Sequence, residues 1–145
     1  RLSALLLHID NTSEVIKEYQ PSIKSSELRS YSASLSGILS DTSSKLTTYV
    51  SDKYDLKIKD AKTSIVEEET SAKDLLISDL FTAKINGTLD RIYAQKLAYD
   101  ISLITSREAQ ILDSSSDSTL TDIITTSYNS LATLYDNFNN FSESK

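Results

Sequence analysis

The sequence predicts an all-α protein, and three observations lead there. Gly and Pro, with two and one in 145 residues, are too few for a fold of many short strands and turns. Apolar residues, mainly Leu and Ile, recur at steps of three and four over long stretches, the spacing that lines one face of a helix. Between those stretches stand clusters of Ser, Thr, Asp and Asn, the residues that cap helix ends. A chain of this length is one domain, 1–145, able to bury roughly two thirds of the surface its unfolded form would expose.

The first helix is expected over about 2–20, where Leu2, Leu5, Leu6, Ile9, Ile16 and Tyr19 share a face and Pro21 ends the run. Ser22, Ser25 and Ser26 then offer N-caps for a second helix over 25–53. Its stripe runs through Leu28, Tyr31, Leu35, Ile38, Leu39, Thr42, Leu46, Tyr49 and Val50, with Gly37 tolerated inside it. From 54 to 71 the period weakens: Leu56 and Ile58 alternate briefly, and Ile65 and Val66 precede three glutamates. This segment reads as a long crossover with room for a short helix. A third helical stretch combines 72–85, carrying Leu75, Leu76, Leu80 and Phe81, with 88–112. Asn86-Gly87-Thr88 between them reads as a helix end followed by an N-cap, or as a bend. Leu89, Ile92, Tyr93, Leu97, Ile101, Ile104 and Ile111 make the second part amphipathic. DSSSDST at 113–119 is a capping loop, and the last helix, 118–141, carries Leu120, Ile123, Ile124, Tyr128, Leu131, Leu134, Tyr135, Phe138 and Phe141. Together these describe a four-helix bundle, up-and-down or ferritin-like, with one long crossover.

Composition excludes several activities. Without cysteine there are no thiolate metal sites, iron–sulfur clusters or cysteine nucleophiles. A formal charge of −6, with lysines scattered among acids, argues against a nucleic-acid partner. No apolar run is long enough to cross a bilayer. The chain starts at Arg1 and lacks Met, which reads as a processed or trimmed protein with room for an upstream signal peptide or anchor. Ser and Thr supply 40 of the 145 residues while Cys and Met are missing, a composition that leans towards an extracytoplasmic protein, periplasmic, cell-surface or secreted.

Metal-dependent oxidase chemistry in a bundle needs Glu-x-x-His motifs, and none occurs; the one histidine, His8, lies among leucines and reads as a core-edge or surface residue. That single imidazole, with no G-x-S-x-G elbow, leaves no serine hydrolase, and the glycine count leaves no phosphate loop. No catalytic residue, cofactor or metal is therefore assigned. The candidates that remain are carboxylates on the helix stripes: Glu108 between Ile104 and Ile111, and Asp100 at the edge of the same stripe. Each, if buried, needs a donor. Thr42, Tyr31, Tyr49, Tyr93 and Tyr128 are the hydroxyls expected to serve, forming a hydrogen-bonded polar layer.

The segment DLFTAKINGTLDRIYAQKLAYDISLI resembles the hallmark of a bacterial ferritin-like family of unknown function, often labelled predicted outer-membrane or periplasmic proteins. In that family a Gly and a Phe-Asp pair precede a Tyr, and an Asp-His pair follows about two turns later. The matching positions here are Gly87, Leu89-Asp90, Tyr93 and Asp100-Ile101. LRSYSASLSGILSDTSSKL resembles the family's other signature helix, with Asp41-Thr42 where the family has Asp-His. The resemblance runs from about Ile9 to Phe141 and implies a ferritin-like bundle, exported, that keeps the aspartates and lacks the histidines.

The expectation is a non-enzymatic helical bundle of a bacterial envelope, monomer or dimer, with a structural or protein-interaction role and an unidentified protein partner. The alternative is a degenerate ferritin-like binder of a metal or small ligand, using Asp41, Asp100 and Glu108 if these converge. A sensory ligand-binding domain is a third reading and would need an anchor outside this chain.

Overall fold

The computed structural model describes residues 2–54 and 63–144. They form five α-helices: α1 (Leu2–Tyr19), α2 (Ser26–Tyr54), α3 (Thr63–Ile85), α4 (Leu89–Ser114) and α5 (Ser118–Ser144). A 3-10 turn, Gln20–Ser22, joins α1 to α2, and no strand occurs among the described residues.

Residue pairing gives the helix directions. Asp10 with Ser43 and Gln20 with Ser32 set α1 and α2 antiparallel. Tyr31 with Phe138 and Tyr49 with Asp117 do the same for α2 and α5. The short 115–117 link folds α5 back on α4, and Asp100 of α4 meets His8 and Thr12 of α1. The helices α1, α2, α5 and α4 thus pack in turn around a common core of Leu5, Ile9, Leu35, Leu39, Ile101 and Ile124, all fully buried. Tyr31 and Tyr93 set their rings against Phe138 at centroid distances of 6.0 and 6.5 Å, both tilted towards edge-on.

The third helix packs against α1 and α4. It runs parallel to α1, with Asn11 bonded to the Glu69 carbonyl and Tyr19 to the Ile77 carbonyl, and antiparallel to α4. Its buried residues are Glu69, Leu80 and Ala83. That narrow and partly polar face explains a correction to the expected crossover. The helix starts at Thr63 rather than about Ala72, so Ile65, Val66 and the three glutamates are helical. An outer helix that needs only a thin apolar stripe shows little three-and-four periodicity. The alternating Leu56 and Ile58 lie outside the described residues.

The expected third stretch is two helices separated by a true end. Gly87 has φ 75°, its N–H bonds the Lys84 carbonyl at 3.3 Å, and the Thr88 N–H bonds the Ala83 carbonyl at 2.9 Å. This pairing closes a helix on a left-handed residue, where glycine avoids the Cβ penalty. Thr88 holds the N-cap position of α4 without a side-chain capping bond; its hydroxyl turns back to the Ala83 carbonyl. Elsewhere caps form as the residue types imply. Ser25 accepts from the Leu28 N–H at 3.1 Å, and Asp117 accepts from the N–H groups of Thr119 and Leu120 at 3.0 and 3.2 Å. Asp90, in the first turn of α4, accepts from the N–H groups of Lys24 and Ser25 and so pins the α1–α2 link to α4.

Candidate functional site

Polar residues placed on otherwise apolar stripes are carried into the interior by the packing of their neighbours. Thr12, Ser32, Thr42, Glu108 and Ser127 reach the core in this way, with His8 at its edge. Three groupings result.

The first joins α1 to α4. One turn apart on α1, His8 and Thr12 face the same carboxylate. Asp100 Oδ1 lies 2.8 Å from His8 Nε2, and its Oδ2 accepts from the Thr12 hydroxyl at 2.5 Å. With an acceptor at Nε2, that nitrogen carries the proton; His8 Nδ1 is buried without a partner among the described residues. A cavity of about 30 Å³ adjoins the cluster, bordered by Asn11, Glu69, Lys73 and Leu76 among others, which is room for roughly one water. Towards α3 the polar contacts continue: Arg107 donates to Glu69 at 2.6 Å, Lys73 pairs with Glu14, and Lys96 pairs with Asp79 at 3.1 Å.

The second crosses the core. The Tyr93 hydroxyl is 2.6 Å from Ser32 Oγ, and Ser32 donates onward to Gln20 Oε1 at 3.0 Å. The order of donors makes Tyr93 the head of the chain, a neutral phenol. Burial pushes its pKa up to about 12, against a small lowering by the Ser32 hydroxyl.

The third lies between α4 and α5. Glu108 is fully buried, and neither of its carboxyl oxygens has a hydrogen-bond partner among the described residues. The Ser127 hydroxyl on α5 is likewise buried and unpartnered. It is near enough to favour the charged carboxylate slightly, yet falls outside hydrogen-bond geometry. Burial dominates and pushes the Glu108 pKa up to about 7.

Of the three carboxylates singled out from the sequence, only Glu108 is fully interior. Asp100 is part-buried and hydrogen-bonded to His8 and Thr12 of α1. Asp41 is exposed on α2 and pairs with Lys45 one turn on, at 3.0 Å. The three are not brought together, and no group of three or more His, Cys, Asp or Glu converges as a metal cage among the described residues.

The expected hydroxyl donors also sort differently. Tyr49 donates to Asp117 and Tyr93 to Ser32, while Tyr128 lies at the surface. Asp100 is served by His8 and Thr12 instead. Thr12 and Ser127 are not singled out by the sequence, although each falls in step with the apolar stripe of its helix. Glu69 gave no such signal, because the stripe around it is too thin.

Comparison with protein-family models, with curated proteins and with solved structures gives no match. What the fold and site define is a class: an all-helical protein with no cysteine and, among the described residues, no helix long and apolar enough to cross a membrane.

Proposed function

We propose that this chain is a non-enzymatic helical scaffold that docks a protein partner on the outer face of α3. The observation that carries the reading is the exposure of large apolar side chains there: Leu75 is 65% exposed, Phe81 56% and Ile85 68%. A helix that only closed a core would turn such residues inward. Here Leu80 and Ala83 seat α3 on the core, with polar contacts to α1 and α4 beside them, while half of its bulky residues face outward.

In this reading α1, α2, α4 and α5 make a four-helix bundle of ferritin-like connectivity, with α3 inside the long α2-to-α4 connection. The up, down, down, up order of those helices supports it, as does the resemblance of the segments around Tyr93 and Asp41. That resemblance, with the Ser- and Thr-rich composition, also supports export to a bacterial envelope. The metal-binding alternative has less behind it, since Asp41, Asp100 and Glu108 stand on separate faces.

A photo-crosslinking residue placed at Phe81, in the cells that make the protein, gives a discrete protein adduct; the same group at exposed Asp122 on α5 does not. Equal labelling at both positions, or none at either, removes the docking face.

A further inference from the structure

Positive charge is distributed unevenly over this acidic chain. Among the described residues, Lys45, Lys53, Lys73, Lys96 and Arg107 are ion-paired with acids. Lys17, Lys24, Arg29, Lys84 and Arg91 form no such pair among those residues, and three of these five, Lys24, Lys84 and Arg91, line one cleft. Arg29 stands beside it, donating to the carbonyls of Ile23 and Lys24 at 2.8 and 2.9 Å.

The cleft, of about 550 Å³, lies at the end of the bundle where the α1–α2 link meets the α3–α4 turn. Small-molecule sites commonly enclose roughly 300–1,000 Å³. Lys24 comes from the link, Lys84 from the last turn of α3 and Arg91 from the first turn of α4, so lysines and arginine that look scattered along the chain meet only in the fold. Cations gathered without acids to pair with raise the local potential and favour an incoming anion.

One acid, Asp90, belongs to the same wall, and its two oxygens already accept from the N–H groups of Lys24 and Ser25 at 3.0 and 2.8 Å. It holds the link against α4 and forms no ion pair with the three cations. Its charge still counts: three cations against one carboxylate leave two positive charges in the cleft. The start of α4 adds to them, because Thr88 turns its hydroxyl back to the Ala83 carbonyl and leaves the first turn without a side-chain cap.

That balance selects the anion. A monocarboxylate offsets only half of it, whereas a phosphate monoester carries about −1.5 to −2 near neutral pH and offers three acceptor oxygens to donors arriving from different sides. Nucleic acid needs a basic track along its backbone, and here the unpaired cations form a single cleft on a chain of net charge −6. Leu89 and Phe141 add an apolar wall for the carbon part of the ester.

We propose that this cleft binds the phosphate group of an organic phosphate monoester, with Arg91 as the forked donor and Lys24 and Lys84 as point charges. The site uses none of Leu75, Phe81 and Ile85, so it stands or falls separately from docking on α3.

The test is an amide NMR titration near pH 7.5 with sn-glycerol 3-phosphate, with sodium acetate and glycerol as controls at equal ionic strength. Glycerol 3-phosphate shifts the amides of Ser25, Gly87 and Arg91 saturably; acetate and glycerol do not. Lys84→Met and Arg91→Met each weaken binding about threefold to tenfold, and adding Lys24→Met to both abolishes it. Lys17→Met, which removes the same charge from an unpaired lysine on α1, leaves binding unchanged. All four side chains are exposed, so these variants keep the fold. Co-sedimentation with phosphatidylcholine vesicles, with and without phosphatidic acid, then identifies the source of the ester. Capture that requires phosphatidic acid and is lost in the triple variant assigns a lipid headgroup, and absence of capture assigns a soluble ester. Non-saturable shifts, an equal response to acetate, a Lys17→Met loss as large as that of Lys84→Met, or a triple variant that binds as tightly as the natural protein would each overturn the proposal.

Discussion

Arg107 on α4 donates to Glu69 on α3 at 2.6 Å, and the Glu69 side chain is 7% exposed while that of Arg107 is 32% exposed. The asymmetry sets what each substitution does. Removing the arginine strands a buried carboxylate, whereas removing the charge of Glu69 leaves an arginine that still reaches water. Arg107→Met is therefore expected to cost about 1–3 kcal/mol and Glu69→Gln less, in urea unfolding at neutral pH. In the double variant the two losses should not add, since the second change removes a partner already lost. Additive losses would show that the pair carries no coupling.

The buried acid Glu108 makes stability depend on pH in a specific sense. Its pKa is pushed up from 4.5 to about 7 in the folded chain, so the folded state holds this proton more tightly than the unfolded state does. The resulting stabilisation is complete below about pH 4.5 and is lost as pH rises through about 7, a change on the order of 3 kcal/mol. Glu108→Leu should remove that dependence and be more stable than the natural protein near pH 8. Parallel stability profiles for the two proteins between pH 5 and pH 8 would mean that Glu108 keeps an ordinary carboxyl pKa.

Asp117 works in the opposite direction. Hydrogen bonds from Lys53 first, then from the Leu120 N–H and the Tyr49 hydroxyl, hold its pKa down from 3.8 to about 2. Its contribution is present above about 3.8 and lost as pH falls through about 2. Asp117→Asn retains the side-chain oxygen that caps α5 and loses the charge that Lys53 pairs with. Its melting midpoint should lie below that of the natural protein at neutral pH, with the gap closing on acidification. A gap that stays constant across that range would assign the effect to capping alone.

The only two glycines should respond with opposite signs to the same substitution. Gly37 sits within α2 with open space around its Cβ position, so Gly37→Ala is expected to stabilise by about 0.5–1 kcal/mol. Gly87 has φ 75°, and Gly87→Ala should destabilise by about 1–2 kcal/mol. Chemical denaturation of the two variants decides it, and a matching sign would contradict the assignment of Gly87 to a left-handed helix end.

The reach of sequence reasoning followed the width of each helix's buried face. On α1, α2, α4 and α5 the stripes are broad enough that Pro21, Ser25, Gly87 and the 113–119 loop could be read as ends before any coordinates were known. On α3, burial of Glu69, Leu80 and Ala83 leaves a pattern too sparse to separate from a connection, so the first half of the helix reads only as a crossover with room for a short helix. Glu108 was legible as an inward acid because it interrupts an apolar run. The neighbouring Ser127 was not, because a serine on a stripe resembles the 25 others in this chain. Which helix faces which is a long-range property, so the meeting of Asp100 with His8 and Thr12 could not be deduced from spacing along one helix.

The central claim is that α3 is an outer helix, seated by Leu80 and Ala83 with polar contacts beside them, and free to present Leu75, Phe81 and Ile85 to a partner. Native-state hydrogen exchange of the isolated protein tests it most directly, because a peripheral element opens at lower free energy than the core it rests on. The account predicts that amides of 66–84 exchange well before those of 93–111 on α4, and that Arg107→Met speeds exchange in α3 while leaving α4 unchanged. Protection of α3 equal to that of α4, in the natural protein and in the variant alike, would make α3 part of the core and contradict the account.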